Sequence, residues 1–111
     1  MGRKSKSKGA RGERDAAKAL SNLFNVQAYR GRQYSGSPQS PDVVAMPEIH
    51  FEVKRTEAFK LYPSLTQATN DSGNSIPVVL HRRNREKWVI VAYLEDLPKL
   101  SDILRKYELD R

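Results

Sequence analysis

This sequence predicts an α/β domain, a central mixed five-stranded sheet flanked by helices in the order αβββαββα. Three observations carry that expectation. Ile49, Phe51 and Val53 alternate with His50, Glu52 and Lys54, the period-two pattern of a strand with one apolar face. Ala16, Ala17, Leu20, Leu23 and Phe24 form one stripe at helical spacing. Apolar runs over 77–82 and 87–93 flank a basic tip around Asn84, which suggests an antiparallel hairpin.

Taken along the chain, the elements are a helix over 12–25, a strand over 26–30 and a loop over 31–41. Val43-Val44-Ala45 is a short apolar run of the kind buried strands use. Met46-Pro47-Glu48 reads as a turn, because Pro47 fixes its own φ and cannot donate to a ladder. The alternating strand from Ile49 follows. A helix over 62–69 ends in Asn70-Asp71-Ser72-Gly73-Asn74. After the hairpin, Leu97, Leu100, Ile103, Leu104 and Tyr107 mark a last helix, opened by Pro98 in a position that helices tolerate. At 111 residues the chain is expected to be one domain, over 9–111. Residues 1–8 lack an apolar pattern and are expected to form a mobile basic arm.

The stretch from Pro41-Asp42 to Glu52-Val53-Lys54 carries the chemistry. Nine residues separate Asp42 from Glu52. If Met46-Pro47-Glu48 is a three-residue loop, residues whose numbers sum to 94 stand opposite each other. Ala45 then faces Ile49, Val43 faces Phe51 and Asp42 faces Glu52. Opposed side chains share a face with Cβ atoms about 4.5–5.5 Å apart, and Lys54 lies on that face too. A two-residue loop would put the carboxylates on opposite faces. Two adjacent carboxylates repel, and one would take up a proton unless a cation sits between them. Magnesium prefers oxygen ligands and keeps several waters. It can polarise a phosphate and acidify a bound water, while Lys54 orients the nucleophile or offsets charge on phosphorus. The competing reading is a surface hairpin with an ordinary Glu–Lys pair, worth at most about 1 kcal/mol. Glu13 lies at the N-terminal end of the apolar stripe of the first helix. It either leans toward the metal waters or simply complements the helix dipole.

Charge agrees with a nucleic-acid partner. The net charge is +7 and the pI about 9.9. Residues 1–18 hold seven basic residues (Arg3, Lys4, Lys6, Lys8, Arg11, Arg14 and Lys18) against two acidic ones. Arg82, Arg83, Arg85 and Lys87 form a second cluster at the hairpin tip. Both clusters are read as DNA contacts, with solubility as the alternative. Arg30, Arg32 and Arg55 join the expected DNA-contacting set. With no cysteine there is neither a disulfide nor a thiolate metal site. His50 and His81 have no partner at metal-ligand spacing, so a zinc site is not expected. Each reads as a partly exposed strand residue, although His50 shares the face of Glu52 and a minor substrate-orienting role stays open. No signal-peptide core or membrane-length apolar run is visible, so the expected location is the cytoplasm, away from any membrane.

Gly9-Ala10-Arg11-Gly12-Glu13-Arg14-Asp15, a helix, a strand, a Ser-rich loop, Asp42 and Glu52-Val53-Lys54 occur in one order. That order, over roughly residues 9–93, resembles the archaeal-type Holliday junction resolvases and their small phage relatives, within the PD-(D/E)xK nuclease superfamily. The resemblance implies a restriction-endonuclease-like core and a Mg2+-dependent endonuclease acting on four-way junctions as a homodimer. Mn2+ would substitute for Mg2+, and no small-molecule cofactor would be needed. It implies Glu13, Asp42 and Glu52 as the acidic site residues and Lys54 as the catalytic lysine. The Val53 carbonyl would be a further metal ligand. Ser35 or Ser37 would be the serine of the junction-facing loop, and Gln67 a polar site position on the following helix. The long loop over 35–41 and the basic tail depart from the family pattern. They leave open another branched-DNA or nicking nuclease of the same chemistry. A basic binding protein of ribosomal or nucleoid type is the alternative outside the enzymes.

Overall fold

The computed structural model describes residues 2–31 and 40–110, with the side chains of the first helix described from Gly9 onward. The elements are α1 (Gly2–Leu23), β1 (Tyr29–Arg30), β2 (Val43–Val44), β3 (Ile49–Arg55), α2 (Leu61–Asp71), β4 (Ile76–Arg82), β5 (Val89–Val91) and α3 (Leu97–Arg105), with a single 3-10 turn, Leu94–Asp96, before α3. The five strands form one sheet in the order β1-β2-β3-β4-β5. All neighbours are antiparallel except β3 and β4, which run parallel from Ile49↔Ile76 to Arg55↔Arg82. A parallel pair needs a crossover, and α2 supplies it.

The alternation in β3 divides the sheet into two faces. Ile49, Phe51 and Val53, with Val78 and Leu80 of β4, pack under Ala16, Ala17 and Leu20 of α1 and Leu100 and Ile103 of α3. The opposite face has a much smaller apolar cluster, Leu65 and Ala68 of α2 on Val79. Polar residues of β3 occupy much of the remainder. α1 comes close because residue 12 has no side chain: a Cβ on Gly12 would stand 2.6 Å from the Cβ of Arg55.

The predicted order and the mixed sheet are what the structure has, with different element limits. α1 begins at Gly2 rather than at residue 12. The first strand is two residues, not five, because the preceding backbone bonds elsewhere: Asn25 N–H donates to the Tyr107 carbonyl at 2.7 Å and Ala28 N–H to Ser21 Oγ at 2.9 Å. β5 is limited to Val89–Val91 because the chain before it is drawn toward α1, where Trp88 Nε1–H donates to Asp15 Oδ2 at 3.1 Å. α2 runs two residues past the predicted end, to Asp71, and Gly73 follows with φ +57.

Candidate functional site

β2 and α2 meet the polar face of β3, while α1 lies on its apolar face. The pairing Val43↔Phe51 has the expected odd register, but the turn is the two-residue Pro47-Glu48, closed by Ile49 N–H donating to the Met46 carbonyl at 3.0 Å, and the extra residue lies on the β2 side in place of a three-residue loop. Asp42 therefore stands opposite Glu52. Its N–H donates to the Phe51 carbonyl at 2.9 Å, and its Oδ2 accepts from Val53 N–H at 2.8 Å. α2 brings Gln67 over the same face, where Lys54 Nζ donates to Gln67 Oε1 at 2.8 Å. α1 brings Glu13, whose Oε1 accepts from Arg30 Nε at 2.6 Å.

Glu52 is only 3% exposed. Two carboxyls held together away from water cannot both carry a full charge. Burial, and after it the charge of Glu52, pushes the Asp42 carboxyl up to about 8. Glu13 adds a smaller push in the same direction. Burial also works to raise Glu52, but a hydrogen bond from His50 and another from protonated Asp42 outweigh it and hold Glu52 below its ordinary value. The pair thus keeps one proton at neutral pH, which a divalent cation would displace. Oxygen donors in such a conflict fit a hard cation.

The histidine expectations need correction. His50 and His81 are buried, 4% and 8% exposed. His81 is enclosed because its ring stacks on Phe59 at 3.9 Å and its Nδ1–H donates to the Lys54 carbonyl at 2.8 Å. His50 Nε2–H donates to Glu52 Oε1 at 2.8 Å. His50 also has two carboxylates near it. His50, Glu52 and Asp71 each offer a ligand atom, all within 4.8 Å of one another. Asp71 was not anticipated as a site residue. The signal was its spacing, four residues after Gln67 on one helix, which puts both on the same face.

The expected DNA-contacting residues divide. Arg11 and Arg14 on α1, and Arg83, Arg85 and Lys87 at the hairpin tip, are exposed, with Arg83 also paired to Glu86 at 3.5 Å. Arg30, Arg55 and Arg82 are bonded within the protein. Arg30 holds Glu13, and Arg55 donates to Asn84 Oδ1 at 2.8 Å and to the Arg82 carbonyl at 3.3 Å. Arg82 pairs with Asp15 at 2.8 Å and donates to the Glu86 carbonyl at 2.6 Å. The side chains of Arg3, Lys4, Lys6 and Lys8, together with Arg32, Ser35 and Ser37, lie outside the described residues.

No family model and no curated protein matches this sequence. Among solved structures, the chain is similar to Hjc of Archaeoglobus fulgidus, described as a Holliday junction resolvase from an archaeal hyperthermophile. The TM-score is 0.57 at 23% identity, over 74% of this chain and 73% of that one. The chain has the α/β fold of that archaeal protein, a five-stranded mixed sheet flanked by three helices.

Proposed function

We propose that this chain is a Mg2+-dependent endonuclease of the PD-(D/E)xK type that resolves four-way DNA junctions by paired cuts, working as a homodimer. The observation that carries the reading is the Asp42–Glu52 pair, held on one face by the odd register of β2 and β3, with Lys54 on the same strand. The shared fold with Hjc, a protein described as a junction resolvase, supports the choice of substrate. A purely DNA-binding protein gains nothing from buried acids, which repel phosphate.

Asp42, Glu52 and the Val53 carbonyl would hold Mg2+ or Mn2+, with Glu13 directed at its waters. Such an ion, when bound, supplies positive charge to the phosphate and acidity to a water. The remaining work falls to side chains. Lys54 has three N–H donors, one of them engaged by Gln67. The other two are available to the attacked phosphate and to the attacking water. In the hydrolysis, the water oxygen bonds to phosphorus as one P–O bond to deoxyribose breaks. One water proton goes to solvent and the leaving oxygen takes up another. The exposed Arg11, Arg14, Arg83, Arg85 and Lys87 would contact backbone phosphates, with the arm over 1–8, Arg32, and Ser35 or Ser37 completing the surface around the domain over 9–111. The cytoplasm is the proposed location.

Synthetic four-way junctions and linear duplexes, each incubated with and without Mg2+, test the proposal. Magnesium-dependent, symmetric cleavage of the junction over the duplex is expected. Equal cutting of linear duplex would point to a nicking or repair nuclease of the same chemistry, and no cutting of any substrate would overturn the enzyme reading.

A further inference from the structure

We infer that His50, Asp71 and Glu52 form a second cation site, for a divalent first-row transition metal, which shares Glu52 with the proposed Mg2+ site. The three ligand atoms lie within 4.8 Å of one another on two packed elements, β3 and the end of α2. Metal–ligand bonds of about 2.0–2.2 Å place neighbouring ligand atoms about 3–3.5 Å apart, so small rotations close the set around one ion. His50 Nε2 and Glu52 Oε1 already stand 2.8 Å apart.

Two features speak for a cation and against a chance cluster. Asp71 is the last residue of α2, where the helix dipole disfavours a negative charge. It also faces a second carboxylate, Glu52, that is almost fully buried. Among the described residues no lysine or arginine makes an ion pair with either acid; Glu52 takes hydrogen bonds from His50 and protonated Asp42, and Lys54 acts on it only through its charge. An aspartate placed against both a dipole and a like charge is explained by a positive ion between them.

The donor types select the ion. Magnesium takes oxygen ligands and is bound reluctantly by nitrogen. An imidazole with two carboxylates suits zinc, iron or manganese. Binding replaces the proton on His50 Nε2, which leaves to solvent, with a metal–nitrogen bond. A part for that ion in cleavage rests on the nuclease reading, through the shared Glu52; the binding itself does not.

The test is calorimetric titration of the full chain with Zn2+ in saturating Mg2+, which fills the oxygen site and leaves the nitrogen-containing one. One Zn2+ per chain is expected, with His50 ring resonances shifting in step and the His81 ring unmoved. His50→Gln and Asp71→Asn should each weaken Zn2+ by more than the roughly 10–100-fold that outer-shell changes cost. Thermal melts verify that each variant is folded. Asp71 is only partly buried, so Asp71→Asn decides the matter if His50→Gln does not fold. Unchanged Zn2+ affinity in the folded variants, or a shift of His81 in place of His50, would overturn the site. A chain that binds Zn2+ in this way but cuts no junction would keep the site and lose the nuclease reading.

Discussion

Asp42 and Glu52 show how a carboxylate pair is prepared for a cation. The proton they share is held by burial and mutual charge, not by an unusual residue type. Asp42→Asn should therefore abolish Mg2+-dependent cleavage while DNA binding stays equal or tightens, since a repelling charge is gone. Parallel cleavage and gel-shift assays check this, and near wild-type cutting would sink the assignment. Gln67 holds Lys54 without belonging to β3. Gln67→Ala should lower the single-turnover rate by about 10–100-fold, as supporting groups around a metal site do, with the fold intact. Away from the site, Glu48 accepts from Tyr107 Oη–H at 2.9 Å and from Lys106 Nζ at 3.1 Å. Its own backbone N–H first, and then the Tyr107 hydroxyl, hold the Glu48 carboxyl below its ordinary 4.5. A carboxylate lowered in the fold stabilises above its unfolded value and loses that contribution as pH falls through the folded one. Tyr107 is raised above 10.0, chiefly by the hydrogen bond to Glu48, so its contribution is present below 10.0 and is lost as pH rises through the folded value. The melting-temperature advantage of wild type over Tyr107→Phe should therefore be largest at neutral pH. It should shrink below pH 4.5 and again above pH 10.

Among the elements, α1 and β3 depend on a missing side chain. An alanine at position 12 would gain helix propensity, up to about 1 kcal/mol, yet its Cβ would meet the Arg55 Cβ at 2.6 Å. Overpacking of that kind costs about 1–3 kcal/mol, so Gly12→Ala should lower the melting temperature. Gly9 lies on the same helix with nothing within 4 Å of a Cβ. Gly9→Ala should leave the melting temperature unchanged or raise it, and equal effects of the two substitutions would show that the close approach is not real. α2 has a different task. It is the crossover that makes β3 and β4 parallel, and it carries Gln67 and Asp71 over the polar strand face. Its apolar contact is small, with Leu65 and Ala68 as its buried hydrophobic residues.

For the molecule as a whole, charge and assembly follow from the proposed task. Each phosphate contact adds roughly 0.9 to the salt slope on duplex DNA. Deletion of residues 1–8 removes Arg3, Lys4, Lys6 and Lys8, and the slope of log K against log salt should become shallower. An unchanged slope would mean that the arm does not touch DNA. One chain has one Asp42/Glu52/Lys54 set, and two cuts need two, which a two-fold dimer provides. Val89, Ile90, Leu94 and Leu97 leave apolar side chains exposed along the β5 edge and the turn into α3. Sedimentation at micromolar concentration should give twice the monomer mass. A strict monomer, free and on junction DNA, would favour a single-cut nuclease.

The alternation of β3, the stripe of α1 as far as Leu20, the odd register of Asp42 and Glu52 and the hairpin were legible in the sequence, because each depends on residues a few positions apart; Leu23, placed on the same stripe, is 60% exposed. The Asp42–Glu52 pairing followed from that same local register. Tertiary structure alone decided the rest. Arg82 reaches Asp15 across 67 positions and Tyr107 reaches Glu48 across 59. Spacing along the chain cannot show such partners, and so basic residues that look free for DNA are bound within the fold. His50 looked half-exposed because periodicity says which face a side chain takes, not what covers that face. Docking of α2 buries His50 beside Glu52 and sets Asp71 against both. Local patterns determined the strands and helices of this protein, and long-range packing decided which of its distant polar residues meet.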